Sequence, residues 1–182
     1  MLSLSVLKSN EVEMSDSHLA FLSLGSNIQP ETNLVRAVHL LQEHGQITAI
    51  SSAWESNSVG AEGPNYLNAC LAYVTPLAQD GLKEQIILPI EIQLERKRTE
   101  NKFAPRTMDI DIVLFDDRFC DEKNWDKAFV VIPLAEIYPT YRNALTHEPI
   151  RETAARLRRE IWMEMRPEIL SPFNGRRFGG HI

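Results

Sequence analysis

Cysteine is scarce in this chain, and long apolar runs are absent. The 182 residues include two cysteines, Cys70 and Cys120, without CxxC spacing, and five histidines that form no HxxxH pattern. These spacings argue against a structural zinc site. No apolar run reaches the ~18 residues of a transmembrane helix. The apolar start is too short for a signal peptide and is interrupted by Lys8, so we expect a cytoplasmic protein that spans no membrane.

A surplus of positive charge is also missing. The chain carries 19 basic and 25 acidic side chains, a formal net charge of -6. Nucleic-acid-binding proteins usually present a basic surface, so we expect no nucleic-acid partner, although a local basic patch stays open. Neither the P-loop pattern GxxxxGK(S/T) nor the pattern GxGxxG occurs. If the chain binds ATP, side chains and metal must therefore hold the phosphates.

The length and composition predict one globular domain with tails. Hydrophobic residues make up 43% of the chain and charged residues 24%, which is the usual globular range. We predict a flexible N-terminal segment over 1–18, a single domain over 19–165 and a C-terminal tail over 166–182.

Apolar patterning predicts the elements of that domain. Apolar runs predict strands at 19–24, 47–56, 66–75, 108–115 and 128–133. Helices are predicted over 30–43, 81–98 and 150–165, and a loop over 57–65, where Gly60, Gly63 and Pro64 occur. The order predicts an α+β, ferredoxin-like β-α-β-β-α-β sandwich with an additional C-terminal strand and helix. Its sheet would be mainly antiparallel, with the helices on one face.

Two aspartates on a predicted strand form the first candidate site. In Met108–Phe115, side chains alternate between faces, so Asp109 and Asp111 point the same way while Met108, Ile110 and Ile112 face the core. Paired carboxylates can hold one or two Mg²⁺ ions. A half-buried strand with a solvated acidic face gives the same alternation, so both interpretations stay open.

A basic run and an aromatic set are the other candidates. Arg96, Lys97 and Arg98, followed by Lys102 and Arg106, would complement the dipole of a helix end or bind a polyphosphate beside the aspartates. The second set is Trp54, Tyr66, Asn68 and Phe129. A flat heteroaromatic ligand could stack on Tyr66 and bind the amide of Asn68, or these side chains could be core packing.

These segments, in this order, resemble the 6-hydroxymethyl-7,8-dihydropterin pyrophosphokinase family of folate biosynthesis. The similarity covers about Ala20 to Pro139 and is strongest in Ala104–Ile112 (APRTMDIDI). Shorter stretches also match, in the order Leu24–Asn27, Ser51–Gly60, Pro64–Asn68, Ile90–Glu91 and Arg96–Arg98.

The resemblance implies an enzyme that transfers pyrophosphate from ATP to a reduced pterin and releases AMP. Asp109 and Asp111 would be catalytic and would hold two Mg²⁺ ions. The side chains implied to bind ATP are Arg96, Arg98, Lys102, Arg106, Ile112 and Lys127, of which Arg96 and Arg98 would also be catalytic. The residues implied to bind pterin are Ser56, Val59, Tyr66, Asn68, Phe103 and Phe129, with Tyr66 and Phe129 on opposite sides of the ring. Glu91 resembles a supporting residue.

Several positions depart from the family pattern. Lys102 replaces the usual Arg, Phe103 replaces Trp, and Ser56-Asn57 replaces Thr-Pro. Lys127 stands where an ATP-binding Arg is expected, and the segment from Asp116 to Asp126 is shorter than usual and lacks a Pro-His that helps to hold ATP. Alternatives are therefore a divergent homologue with weak or no activity, a pterin-binding module, and an RNA-binding ferredoxin-like domain, which the acidic balance disfavours.

Overall fold

One antiparallel sheet organises the protein. The computed structural model describes residues 17–58, 63–97 and 104–174. The strands run in the order β6-β5-β1-β4-β3-β7, and β2 also pairs with β4. Their bounds are β1 (His18–Ser26), β2 (Gln46–Ile50), β3 (Ala53–Ser56), β4 (Tyr66–Thr75), β5 (Asp109–Phe115), β6 (Arg118–Phe119) and β7 (Met163–Arg166).

Helices connect and cover these strands. Their bounds are α1 (Pro30–His44), α2 (Gln79–Leu82), a π-helical stretch (Lys83–Ile87), α3 (Leu88–Gln93), a 3-10 turn (Glu122–Asp126), α4 (Ala128–Ile137), α5 (Ile150–Glu160) and α6 (Pro167–Asn174). In the described part of the chain, none of them combines the length and the apolar composition needed to span a bilayer. The predicted α+β class with an antiparallel sheet is confirmed.

Apolar side chains form a separate core on each face of the sheet. Leu22 and Leu24 of β1 and Leu71 of β4 belong to the core that α1, α2, α3 and α6 cover. Phe21 and Cys70, on the opposite face, pack with α4 and α5. The prediction of helices on one face is therefore wrong, because the alternating strands present apolar side chains on both sides and each set needs a cover.

The segment 128–133, predicted as a strand, begins helix α4. Its composition favours a strand, with Val130, Val131 and Ile132 in sequence, but all three side chains are buried in the core that covers the second face. A short apolar run does not distinguish a strand from a buried helix, and here the packing of the helix on the sheet decides between them.

The predicted strand 47–56 is two strands separated by a bulge. Ile50 pairs with Leu71 and Trp54 with Asn68, so three residues of one strand lie opposite two of β4. Ser51 holds this irregularity, since its Oγ accepts a hydrogen bond from Cys70 N (2.9 Å) and its own N–H donates to Cys70 O (2.8 Å). Cys70 is buried in the second core and forms no disulfide with a described residue, as expected of a small core residue.

The C-terminal prediction also requires correction. The helix predicted over 150–165 ends at Glu160, and the chain then forms β7, which pairs with β3. The predicted tail 166–182 begins with α6, where Leu170 and Phe173 are buried in the core. The additional C-terminal strand is therefore Met163–Arg166. Residues 175–182 and 1–16 lie outside the described residues.

Candidate active site

A cavity of about 370 Å³ opens on the sheet face that α4 covers. Its lining comes from four strands of the sheet, from the beginning of the 57–65 loop, from the segment before β5 and from the start of α4. The residues are Ser23, Gly25, Ser56, Asn57, Tyr66, Asn68, Arg106, Asp109, Asp111, Lys127 and Phe129. The cavity thus combines carboxylates, cations, amides and aromatic rings in one place.

Strand alternation places the floor of this cavity. Asn68 and Asp109 both pair with Gly25, one from each neighbouring strand, and Asp111 pairs with Ser23. Residues in register share a face, so these side chains point to the same side of the sheet. Gly25 lacks a side chain, which leaves the space between Asn68 and Asp109 open. The predicted common face of Asp109 and Asp111 is confirmed, and Met108 and Ile110 face the opposite core.

Asn68 is held in one orientation by its neighbours on β3. Its Nδ2 donates to Ser56 Oγ (2.9 Å) and to Trp54 O (3.2 Å). An ideal Cβ on Gly25 would lie 3.5 Å from Asn68 Oδ1, so the amide oxygen points toward the cavity floor. The fixed oxygen can accept a hydrogen bond from an amino or imino group of a ligand.

Asp109 is the centre of an ion-pair network. Arg106 and Arg96 both pair with it, and Nη2 of Arg96 lies 2.7 Å from Asp109 Oδ1. Arg96 also pairs with the buried carboxylate of Glu91, whose Oε1 accepts a hydrogen bond from Ile110 N (2.9 Å). Burial opposes the charge of Arg96, but the hydrogen bond with Glu91 and the nearby aspartates outweigh it and raise the pKa of Arg96.

The end of α3 explains how Arg96 reaches the site. Arg96 N donates to Glu91 O and Glu95 N to Ile92 O, both at 2.9 Å, while Glu95 adopts a positive φ of 60°. These bonds form a Schellman motif, which reverses the chain at a helix end. The predicted helix 81–98 therefore ends at Gln93, and Arg96 and Lys97 follow it rather than forming its last turn. The motif directs Arg96 back toward Glu91.

The two carboxylates fit a divalent cation. Asp109 Oδ1 is buried and makes no hydrogen bond within the described residues, although Arg96 lies beside it. Asp111 faces the cavity without an ion-pair partner in the described part of the chain. Loss of solvation by the surrounding protein raises the pKa of Asp111, and the negative charge of Asp109 raises it further. Carboxylate oxygens are the ligands that Mg²⁺ prefers in proteins.

The beginning of α4 and the residue before it also contribute to the lining. Lys127 and Phe129 line the cavity, and Nζ of Lys127 donates to Asn124 Oδ1 (2.8 Å). Phe129 is only partly buried and packs at the edge of the second core. Tyr66 lines the same cavity, and burial raises the pKa of its hydroxyl.

Two residues that the sequence suggested for ligand binding do not line the cavity. Trp54 is 1% exposed in the core and donates from Nε1 to Glu136 Oε1 (2.7 Å), so it belongs to the core and does not line the cavity. Ile112 packs against the first core on the face opposite the cavity. Its side chain is therefore not part of the cavity lining. Val59, Arg98, Lys102 and Phe103 lie outside the described residues.

Residues 21–139 match the family model described as 7,8-dihydro-6-hydroxymethylpterin-pyrophosphokinase (HPPK). The match includes every residue that lines the cavity. The chain belongs to this family. The resemblance inferred from the sequence is thereby confirmed.

Curated relatives of the family carry the name 2-amino-4-hydroxy-6-hydroxymethyldihydropteridine pyrophosphokinase. The Bacillus subtilis enzyme is 36% identical over 66% of this chain and 78% of its own length. The Aquifex aeolicus enzyme is 32% identical over 72% of this chain and 88% of its own length. The predicted enzyme class, a diphosphokinase of folate biosynthesis, is confirmed by these names.

Solved structures of the HPPK family share the fold. An HPPK-DHPS chain of Plasmodium falciparum, crystallised with pteroate, superposes with a TM-score of 0.60 at 12% identity over 79% of this chain. A second, crystallised with pterin and p-hydrobenzoate, gives a TM-score of 0.60 at 13% identity. This HPPK chain spans 44% and 45% of those longer chains.

Sequence reasoning missed part of the HPPK cavity. Ser23, Gly25 and Asn57 line it but were not among the candidates. The signal for the first two was present, because Ser23 and Gly25 alternate with Leu22 and Leu24, which predicts a strand face that is not apolar. Asn57 follows the end of β3 and carries no comparable pattern.

The short segment before Lys127 takes no part in the HPPK cavity. Asp116 and Asp117, with φ of 46° and 63°, form the tight turn between β5 and β6. Trp125 is buried and packs against Phe119 and Tyr141. No residue from Asp116 to Asp126, a stretch described in full, lines the cavity.

Proposed function

We propose that this protein transfers the terminal pyrophosphoryl group of ATP to the hydroxymethyl group of 6-hydroxymethyl-7,8-dihydropterin and releases AMP. The pterin hydroxyl oxygen bonds to the β-phosphorus, and the bond from this phosphorus to the oxygen of the α-phosphate breaks. The observation that carries the proposal is the meeting of Asp109 and Asp111 with Asn68, Tyr66 and Phe129 in one cavity. Carboxylates suit the metal–phosphate end and the amide and rings suit a flat polar ring.

Asp109 and Asp111 would hold two Mg²⁺ ions between ATP and the pterin hydroxyl. Ions bound there would supply positive charge that neutralises the phosphates. The protein holds Asp109 between Arg96 and Arg106, while Asp111 lacks a cation partner among the described residues. Asp109 is therefore held in place before any metal binds. Asp111, which has no such ion pair, would be stabilised most by an added cation.

Cations around the aspartates would bind the phosphates. Arg106 and Lys127 line the cavity, and Arg96 pairs with Asp109. Two or more fixed positive charges stabilise the negative charge that phosphoryl transfer redistributes. Arg98, Lys102 and Ile112 stay sequence-based assignments for ATP, and Val59 and Phe103 for pterin.

Tyr66 and Phe129 would bind the two faces of the pterin ring, and the Asn68 amide and Ser56 its polar edge. The oriented Oδ1 of Asn68 suits an N–H donor of the ring, and Ser56 Oγ fixes that orientation. Because the ring position determines where the hydroxymethyl group lies, these residues would also align the attacking oxygen.

The test incubates the protein with ATP and 6-hydroxymethyl-7,8-dihydropterin, with and without EDTA. Chromatography then measures the AMP and the pterin product. We expect AMP and pterin pyrophosphate in equal amounts, both dependent on Mg²⁺ and on the pterin. ADP as the product would point to a different transfer. Binding of pterin without any AMP would support a pterin-binding module instead.

A further inference from the structure

The C-terminal part of the chain lies beyond the family match and reaches the rear of the site. Residues after 139 contribute α5, β7 and α6. Strand β7 pairs with β3, where Met163 lies opposite Ser56 and Glu164 opposite Glu55. Ser56 lines the cavity, so β7 is one strand away from the proposed pterin-binding wall.

Arg166, the last residue of β7, binds the carboxylate of Glu55. Its Nη1 lies 2.7 Å from Glu55 Oε2, and the other Glu55 oxygen, Oε1, accepts a hydrogen bond from Asn65 Nδ2 (2.9 Å). Glu55 immediately precedes Ser56, and Asn65 immediately precedes Tyr66. The chain of contacts therefore joins β7 to both ends of the 57–65 loop.

The charges make this bridge dependent on Arg166. Glu55 lies directly opposite Glu164 on β7, and like charges in register repel. Arg166 also pairs with Glu168 through Nε (2.7 Å) and with Glu31 through Nη2 (3.3 Å), so several carboxylates share this one cation. Without the guanidinium, Glu55 would turn away from its acidic neighbours and lose its fixed hydrogen bond to Asn65.

We propose that Arg166 is a positioning residue for the pterin, acting through Glu55 and Asn65 to fix Ser56 and Tyr66 on either side of the loop. Alternation places Glu55 on the opposite sheet face from Trp54 and Ser56, so Arg166 does not touch the substrate. The effect on pterin rests on the proposed function, whereas the effect on the loop ends does not.

The experiment compares Arg166→Met, Asn65→Ala and the double variant with the unmodified protein. Both single substitutions should raise the KM for pterin roughly three- to tenfold, with little change in the KM for ATP. The double variant should raise the KM for pterin only slightly more than the stronger single variant, because both substitutions break the same chain of contacts. Asn65→Ala keeps β7 and its charges intact, so it tests the bridge even if Arg166→Met folds poorly.

Glu168→Gln is the matched control, since it removes a different partner of Arg166 and should leave the KM for pterin unchanged. Hydrogen exchange of peptides spanning 55–66 supplies a readout independent of activity, and both bridge variants should exchange faster there. Unchanged exchange and an unchanged KM for pterin in folded variants would overturn the proposal. If the unmodified protein releases no AMP but the exchange result holds, the proposed function fails and the bridge stands.

Discussion

At the scale of single residues, Asp111 differs from Asp109 in forming no ion pair with a described residue. Asp109 is held by Arg96 and Arg106. Asp111 instead faces the cavity, where the surrounding protein and Asp109 raise its pKa. A nearby cation would favour the ionised form of this carboxyl, as the metal-binding role that we propose for Asp111 requires.

We predict that Asp111→Ala abolishes turnover but preserves the fold. The side chain lines the open cavity and belongs to neither core, so its removal creates no void. Loss of one metal-binding carboxylate should slow AMP release on the order of 10³-fold or more. The measurement is the initial rate of AMP formation beside circular dichroism, with Glu43→Gln on the exposed side of α1 as control. Near-normal turnover would remove Asp111 from the proposed metal site.

Phe129 lies at the boundary between cavity and core, and its substitution distinguishes the two roles. We expect Phe129→Ala to weaken pterin binding by roughly 1–3 kcal/mol, the usual contribution of a stacked, buried ring. Calorimetric titration with the pterin gives the affinity and thermal unfolding gives the stability. A large fall in melting temperature with unchanged pterin affinity would show that Phe129 is only a core residue.

At the scale of elements, the end of α3 determines where the first cation lies. The Schellman motif requires a left-handed residue, and the chain places Glu95 there at a φ of 60°. Glycine adopts this conformation without strain. The sequence pattern of cations from Arg96 onward suggested a longer helix, but the reversal is what brings Arg96 to Glu91.

We therefore predict that Glu95→Gly stabilises the protein by about 0.5–1 kcal/mol. For a chain of this size that corresponds to roughly 1–4 °C in melting temperature. Differential scanning calorimetry measures it, and Gln93→Gly, inside the same helix end, should have the opposite sign. A lower melting temperature for Glu95→Gly would contradict the assignment of the motif.

The pairing of β7 with β3 should depend on pH through Glu55. The hydrogen bond from Asn65 and then the contact with Arg166 lower the pKa of Glu55. A lowered pKa means that ionised Glu55 stabilises the fold above its unfolded value of about 4.3, and that this contribution is lost as pH falls through the lower folded value. Glu55→Gln should therefore lower the melting temperature at pH 7, and its effect should shrink as the pH falls below about 4.3.

Thermal unfolding over that range checks the sign, with Glu43→Gln as the reference for an exposed carboxylate. An equal melting temperature for Glu55→Gln and the unmodified protein at pH 7 would argue against a stabilising role of Glu55 in the bridge.

At the scale of the whole molecule, the distribution of residues around the cavity predicts how ATP is bound. Positive side chains are present in the lining, but the stretch from Asp116 to Asp126, where the family resemblance implied ATP contacts, forms a hairpin and a 3-10 turn outside the cavity. Cations bind phosphate without distinguishing between bases. We therefore predict weak discrimination between ATP and GTP and binding that falls steeply with added salt.

The comparison uses ATP and GTP as donors at saturating pterin, at low and high ionic strength. Similar kcat/KM values for the two nucleotides, both reduced by salt, are expected. A strong preference for ATP with little dependence on salt would show that an adenine-binding surface exists elsewhere in the chain. Arg176→Ala and Arg177→Ala would then be the first variants to examine.

The sequence alone determined the features that depend on neighbouring residues. Alternation along β5 placed Asp109 and Asp111 on one face, and the pattern of β4 did the same for Tyr66 and Asn68. The ordered motifs then identified the family, because matching several separate stretches in one order is far more specific than any single stretch. These inferences needed only local geometry, which is nearly the same in every protein.

Only the tertiary structure decided what depends on distant contacts. The run from Ala128 to Pro133 could be a strand or a helix, and the uncovered second face of the sheet selected the helix that carries Phe129 to the cavity. Arg166 was assigned to a tail, yet it pairs with Glu55, which is more than a hundred residues away in the chain. Burial and ion pairs between segments that are distant in the chain decide such features, and the local sequence does not show which segments will be in contact.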